Sequence, residues 1–385
     1  MVTPTTAAPA LAVGPLAPRF EDVERIAVLR GGGLGDLLFA LPAVEALAAA
    51  YPAARITLLG TPLHADLLAG RPGPVAGVEV LPLARGVRES PGREEDPAGT
   101  DRFLDRLAAR QFDLAVQVHG GGRFSNPFLL RLGARHTVGT RTPDAAALER
   151  TIPYRYYQHE VLRALEVVGL AGAPPVMLEP RVTVTEAERA GARELRAPGA
   201  PALLVVHPGA TDARRRWPPA RFADVAAAAA AAGAQVVVVG AGEDVPAAEE
   251  IVDRARAALP PAARSRVTSR AGRLTLPGLT GLLAEADVLL GNDSGPRHLA
   301  QAVGAATVGV YWFGNVINAG PLGRARHRVH LGWMTTCPVC GRDVTSETAP
   351  RCEHEDSFVA DIGVEPVRAD VLDLLAAPSG GVGPW

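Results

Sequence analysis

Residues 289–304 read LLGNDSGPRHLAQAVG, and their order dictates a strand, a tight turn and a helix. Ala286-Asp287-Val288-Leu289-Leu290 is a short apolar run bounded by turn residues, the pattern of a strand buried on both faces in a parallel sheet. Gly291-Asn292-Asp293-Ser294-Gly295 is a turn cluster. Pro296 suits the first helical position, where its missing N–H costs nothing. Asp293 or Ser294 can cap the helix, which continues through Leu299, Ala300 and Val303. A helix that starts at the carboxyl end of a parallel strand presents free N–H groups and a partial positive charge. That is a seat for an anion such as a nucleotide phosphate. Asp293, Ser294, Gly295, Arg297 and His298 crowd polar chemistry into this turn, whereas most strand-to-helix turns bind nothing.

Outward from this stretch the same alternation recurs. Apolar strands are expected at 24–29, 55–59, 78–81 and 113–118, with helices at 37–51, 101–110 and 159–170. The segment 171–180, AGAPPVMLEP, reads as a linker, after which the pattern restarts. Strands are expected at 202–206, 235–239 and 306–310, with helices at 219–233, 249–259, 276–285 and 365–377. Strands alternating with helices mean parallel sheets covered on both faces, so the fold class is α/β with two Rossmann-like halves. Ligand loops sit at strand ends in both halves, and the interdomain cleft is the expected active site.

Bulk properties narrow the function. The chain has 385 residues, 48% hydrophobic content and a formal net charge of −2. This supports two domains and gives no basic excess for a nucleic-acid partner. Every basic side chain other than histidine is arginine; there is no lysine, which excludes a lysine Schiff base or a P-loop lysine. No run of about 18 apolar residues predicts a membrane span. Residues 1–20, Pro/Ala/Thr-rich and without the basic start of a signal peptide, are expected to be a disordered tail. Three cysteines do not make a disulfide scaffold, so a cytoplasmic location is expected.

The strand-end loops carry the chemistry. GGGLGD, residues 31–36, fails the dinucleotide spacing, because Asp36 stands where the third glycine belongs. Asp36 begins or caps a helix and is a carboxylate placed to take a proton from an incoming nucleophile. After the expected strand 202–206, HPGATDARRRWP presents three adjacent arginines that can grip a diphosphate through charge-assisted hydrogen bonds. Glu243 in GAGED, residues 240–244, is placed to accept hydrogen bonds from a ribose hydroxyl. No D-x-D pair is present to chelate a metal–diphosphate.

Together VLRGGGLGDLLFALPAVEALAAAYPAARITLL, HPGATDARRRWPPARFADVAAAAAAAGAQVVVVGAGED and LLAEADVLLGNDSGPRHLAQAVGAATVGVY resemble the ADP-heptose:lipopolysaccharide heptosyltransferases of glycosyltransferase family 9. The resemblance runs in order from about residue 25 to 315 and implies a GT-B fold, whose terminal helix packs back on the first domain. It implies an acceptor domain over 21–175, a nucleotide-sugar domain over 176–364 and a terminal helix and tail over 365–385. The implied reaction is metal-independent inverting transfer of heptose from ADP-heptose to a glycan hydroxyl in lipopolysaccharide core biosynthesis. Asp36 is the implied base, Arg215 the diphosphate ligand where the family usually has lysine, and Glu243 the ribose acid, with Asp244 as a near alternative. Asp293, Ser294, Gly295 and His298 form the implied donor turn. His119, Arg123 and Asn126 fall on the acceptor side, and a lipid-linked acceptor implies peripheral membrane contact. A transferase for another sugar nucleotide, or a non-catalytic nucleotide- or glycan-binding module on the same scaffold, is the alternative.

Every cysteine lies in the Cys-rich loop 333–357, as Cys337-Pro-Val-Cys340 and Cys352-Glu-His354. C-x-x-C followed by C-x-H is zinc-ligand chemistry, a structural Cys3His set of Cys337, Cys340, Cys352 and His354. The alternative is three reduced thiols in a loop.

Overall fold

The computed structural model describes residues 12–377. The chain divides into two compact units, Met1–Pro180 and Arg181–Trp385. In chain order the first contains β1 (Arg25–Leu29), α1 (Leu34–Ala50), β2 (Arg55–Gly60), α2 (Pro62–Leu68), β3 (Val75–Val80), α3 (Pro97–Ala108), β4 (Leu114–Gln117), α4 (Ser125–Leu130), β5 (His136–Arg141), β6 (Arg150–Pro153) and α5 (Glu160–Gly169). Its strands form one six-stranded sheet in the order β3-β2-β1-β4-β5-β6, each pair parallel. α1 has no polar stripe: Leu37, Leu38, Leu41, Val44 and Leu47 are all buried, and the helix packs against α5. A helix apolar around most of its circumference is stable only when covered on most sides.

The second unit contains α6 (Glu186–Arg193), β7 (Leu203–His207), α7 (Pro219–Ala231), β8 (Gln235–Val238), α8 (Val245–Ala258), β9 (Val267–Ser269), α9 (Leu276–Glu285), β10 (Val288–Asn292), α10 (Gly295–Ala302), β11 (Ala306–Trp312), α11 (Phe313–Ala319), β12 (His327–Gly332) and α12 (Val364–Ala376). Its sheet runs β12-β11-β10-β7-β8-β9, again six strands and all parallel. Read from β7 onward, this is the same winding as the first sheet. α7 draws its helicity from a run of alanines behind Pro219. Its buried Ala223, Ala226, Ala229 and Ala230 join Phe222 and Val225 in the core with β7, β8 and β10.

In each sheet the strand order reverses at one place, between β1 and β4 and between β7 and β10. Loops leaving the carboxyl ends of those strands diverge, and ligands bind there in open α/β sheets. Each switch point therefore gathers sequence-distant loops. In the first unit these follow Leu29 and Gln117; in the second they follow His207 and Asn292.

Two expectations are corrected. Of residues 1–20, 1–11 lie outside the described residues, but the rest is docked. Ala17 N–H donates to Gly169 O at 3.0 Å. Phe20 stacks on His136 with ring centroids 4.0 Å apart, and the Arg150 guanidinium lies 3.8 Å from the Phe20 centroid. The terminal helix α12 packs on α7 and on β10, β11 and β12 of its own unit, through Val367, Val371 and Leu374. The tail beyond it, 378–385, lies outside the described residues. Secondly, β11, expected to end at 310, runs on through Tyr311 and Trp312, and Phe313 opens α11.

Candidate active site

In the first unit the site begins with Arg30, at the end of β1, which sequence reasoning passed over. Its guanidinium is buried and donates to Val118 O at 2.5 Å, to Asp36 Oδ1 at 2.5 Å and to Glu160 Oε2 at 3.1 Å. Burial works against its charge, but Asp36 and Glu160 outweigh that and raise its pKa. Asp36 stands in the first turn of α1 and does not cap it from outside. Its Oδ2 reaches back to accept the Gly33 N–H at 2.8 Å. Gly32 sits at φ +89, and a Cβ there would collide with the Asp36 carboxylate, so the glycine run lets that carboxylate lie over the loop. Burial pushes the Asp36 carboxyl up, yet the Arg30 charge and the Gly33 N–H hold it below its ordinary value. The side chain keeps 44% of its exposure, so the carboxylate is ionised, oriented and reachable.

Two histidines flank it. His64 is fully buried, accepts the Thr61 N–H on Nδ1 at 3.2 Å and donates from Nε2 to Gly33 O at 2.9 Å. It props the glycine loop from below. His119 Nδ1 accepts the Gly31 N–H at 3.3 Å. Burial, together with the nearby Arg30 charge, pulls its pKa down to about 4, so it is neutral at pH 7. His119 lines a cavity of about 470 Å³ with Gly32, Thr61, Val87, Arg88 and Glu89. It also lines a second of about 300 Å³ with Arg123, Phe124, Thr142 and Tyr154. Arg123 is exposed, pairs with Asp144 at 3.4 Å and lies 5.2 Å from the Phe124 centroid. Asn126 has a different place from the one expected. It is wholly buried and its Nδ2 donates to Thr140 O at 3.1 Å and to Ala146 O at 2.9 Å, so it holds β5 and the following loop.

In the second unit the opening turn joins the arginine loop. Asp293 is buried and accepts Arg215 Nη1 on Oδ2 at 3.1 Å and His298 Nε2 on Oδ1 at 3.0 Å. The buried Arg297 donates from Nη2 to His298 Nδ1 at 2.6 Å, to Gln301 Oε1 at 3.2 Å and from Nη1 to Thr307 Oγ1 at 3.3 Å. An arginine can only donate, so His298 Nδ1 is the acceptor and its proton sits on Nε2, facing Asp293. Ser294 is the N-cap residue of α10 but makes no capping bond; its hydroxyl turns to His207 Nδ1 at 3.1 Å. Arg215 Nε is buried with no partner among the described residues. A part-buried cation with an unused donor, beside an uncapped helix start, suits an incoming anion.

The arginines separate by role. Arg214 is locked on Asp212, Arg216 pairs with Glu243 at 3.0 Å, and only Arg215 turns to Asp293. Glu243 is exposed, whereas Asp244 faces His207 Nε2 at 3.7 Å and fills the space over Gly209 that any Cβ there would occupy. The Asp244 carboxyl is raised by burial but lowered further by His207 and the Ala241 N–H, and lies below its ordinary value. Asn292, unremarked in the sequence, accepts Trp217 N–H on Oδ1 at 3.0 Å and donates to Pro208 O at 2.6 Å, tying both loops to β10.

The Asp293 carboxyl is pushed up by burial and pulled further down by the His298 N–H and the arginine charges. Its folded pKa therefore lies below the unfolded value of about 3.9. The stability it contributes is complete above that value and is lost as pH falls through the folded pKa. Urea midpoints of the wild type and Asp293→Asn are expected to differ by a constant amount from pH 7 to 5 and to converge below about pH 4. A gap that widens on acidification would show that Asp293 is protonated in the native state.

Cys337 and Cys352 are buried, Cys340 is exposed, and all three are free thiols. Their sulfurs and the His354 imidazole lie within 4.8 Å of one another, and His354 Nδ1 is buried without a partner among the described residues. Three thiolates and one imidazole gathered this closely, one of the imidazole nitrogens unpartnered, are the donor chemistry of a structural zinc site.

Residues 101–341 match the family model of Glycosyltransferase family 9 (heptosyltransferase). The chain is 26% identical over 324 residues to lipopolysaccharide heptosyltransferase 1 of Pseudomonas aeruginosa, covering 82% of this chain and 86% of that protein. Its fold matches the glycosyl transferase family 9 structure from Veillonella parvula with TM-score 0.72 at 19% identity, covering 91% of this chain and 97% of that one. It also matches the E. coli ADP-heptose lps heptosyltransferase II with TM-score 0.68 at 20% identity, covering 91% and 98%. These neighbours place both sheets in the GT-B fold. No helix among the described residues is long and apolar enough to cross a membrane. With more than half of its length matched by the family model, this chain belongs to glycosyltransferase family 9 and is a glycosyltransferase.

Proposed function

We propose that the protein is an inverting transferase that moves heptose from ADP-heptose to a hydroxyl of a cytoplasmic, lipid-linked glycan acceptor in lipopolysaccharide core assembly. The observation that carries this reading is the Arg215–Asp293–His298 network, in which a part-buried arginine with an unused donor stands beside the uncapped start of α10. The donor and acceptor are those of the related lipopolysaccharide heptosyltransferases. Residues 21–175 serve the acceptor and 176–364 the nucleotide sugar.

Asp36 takes the proton from the acceptor hydroxyl, whose oxygen attacks the anomeric carbon in line. Negative charge then grows on the leaving diphosphate. Arg215, Gly295 and the first turn of α10 meet it as preorganised donors, the role that other transferases give to a chelated metal. Glu243 or Asp244 holds the ribose, and His119 and Arg123 receive the acceptor. No cofactor enters the reaction. A zinc ion on Cys337, Cys340, Cys352 and His354 fastens the loop 333–357 and touches no reacting atom. The peripheral membrane contact follows from the acceptor's lipid.

Arg215→Ala is expected to weaken ADP binding by about tenfold or more, the loss of a charge-assisted hydrogen bond of about 1.5–3 kcal/mol. In a thermal-shift and hydrolysis screen, ADP and ADP-sugars are expected to stabilise the protein, and UDP and GDP not to. Preference for UDP or GDP would move the donor to another sugar nucleotide, and stabilisation by none would leave a binding module without catalysis.

A further inference from the structure

We infer that the Cys337–Cys340–Cys352–His354 cluster, loaded with one metal ion of the zinc class, holds the arginine loop 212–216 in its diphosphate-binding form, so that metal occupancy sets nucleotide affinity. This rests on Arg215 being the diphosphate ligand, as proposed above.

The cluster is built as a knuckle. Thr336 and Asp343 pair across it, Cys337 N–H donates to Arg342 O at 2.8 Å, and Gly341 N–H returns to Cys337 O at 2.9 Å with Gly341 at φ +69. Within the segment 333–357 there is no regular strand or helix, so few backbone bonds fix the path from Cys340 to Cys352. A metal ion cross-linking the two ends would fix it instead.

The far end of that segment is fastened to the arginine loop by several bonds. Phe358 N–H donates to Arg214 O at 2.7 Å, and Ser357 Oγ donates to Arg216 O at 2.7 Å. These two carbonyls flank Arg215. Arg351, beside Cys352, reaches Asp212 Oδ1 at 3.4 Å. Asp212 in turn grips Arg214 Nη2 at 2.7 Å and caps the short turn that carries Arg215 by accepting the Arg214 N–H at 3.0 Å. The Arg214 guanidinium lies 5.1 Å from the Phe358 ring centroid. Among the described residues, the Arg215 side chain is held by Asp293 alone. Its position before the nucleotide arrives thus depends on the two neighbours whose backbone the metal loop holds. Without the ion, the segment 340–358 gains conformational freedom, and ordering the arginine loop is left to the ligand.

The test measures metal content, ADP and adenosine affinity by calorimetry, and amide hydrogen exchange over 212–217. Samples are the wild type as purified, the wild type after chelation, and Cys340→Ser, whose side chain is exposed so that packing is undisturbed. Stoichiometric zinc or iron is expected in the first alone. Chelation and Cys340→Ser are expected to weaken ADP binding by about tenfold, as for one charge-assisted contact, with faster exchange over 212–217. Adenosine, which has no phosphates, is expected to bind within about twofold in all three, which also reports an intact fold. Absence of stoichiometric metal, or ADP affinity and exchange within about twofold after metal loss, would overturn the inference. Arg215→Ala separates the two ideas. ADP affinity sensitive to that substitution but not to metal sinks the inference alone; ADP affinity insensitive to it removes the donor reading and the inference with it.

Discussion

Asp36→Asn is expected to lower the transfer rate by about 10²–10⁴-fold, the usual contribution of a positioned general base. At 1.36 kcal/mol per decade this is about 2.7–5.5 kcal/mol of transition-state stabilisation. The substitution keeps the shape of the side chain and the bond from Gly33. It leaves Arg30 its contacts to Glu160 and Val118 O, so the buried cation stays paired. Two residues could compete for the role, and their surroundings decide between them. His119, with its pKa drawn down to about 4 and its Nδ1 engaged by Gly31, is a weak base. Asp36 is ionised across the neutral range and keeps nearly half its surface open. ADP affinity in the variant is expected to stay within about twofold of the wild type, because the donor contacts assigned above lie in the second unit. Single-turnover transfer with saturating donor, measured beside calorimetric ADP binding, checks both statements. Turnover within tenfold of the wild type would remove Asp36 from the chemistry.

The largest loss of stability is expected from Trp217→Ala, at about 3–5 kcal/mol. Trp217 is 1% exposed and meets Phe222 edge to face with centroids 5.0 Å apart. Its Nε1 donates to Ile362 O at 3.0 Å, just ahead of α12, while its own N–H goes to Asn292. Truncation leaves a cavity where α7, β10 and the approach to α12 meet. Native domains are stable by about 5–15 kcal/mol, so the variant should sit close to unfolding. Trp217→Phe keeps most of the apolar area and should cost far less, since Ile362 O still accepts from Arg221. Urea unfolding followed by circular dichroism measures both. A loss below about 1 kcal/mol for the alanine variant would mean that the surroundings close over the hole.

Trp217 illustrates what was legible in the sequence. RRRWP marks a family loop, and the reading spent its attention on the arginines, whereas the tryptophan is the residue that anchors them. The central strands were readable because both faces are buried and the chain answers with unbroken apolar runs such as LLVVH and QVVV. The missed strands β6, β9 and β12 lie at sheet edges and β5 lies next to one. RTIP and HRVHLG carry charge, because one flank of an edge strand stays open, whereas HTVGTR is paired on both sides and was hidden by its polar and glycine residues. Candidate site residues stood out in the sequence where they follow a readable strand, as Asp36, Arg215 and Asp293 do. Arg30 and Glu160 did not, since 130 positions separate them and only the sheet's winding brings them together. Asn126 shows the opposite case: a polar residue in a glycine-rich loop reads as a ligand contact, and the structure also gives it a tie to β5 and the loop beyond, through Thr140 O and Ala146 O.

The matched winding of the two sheets has a consequence for synthesis. Neither sheet borrows a strand from the other unit, since all strands through Pro153 belong to the first and all from Leu203 onward to the second. Emerging from the ribosome at about 5–20 residues per second, the first unit has its whole sheet and α5 available seconds before the last strand of the second is made. Each half can thus close its core from contiguous chain, and the nascent protein never has to hold an unfinished sheet open while waiting for a distant strand.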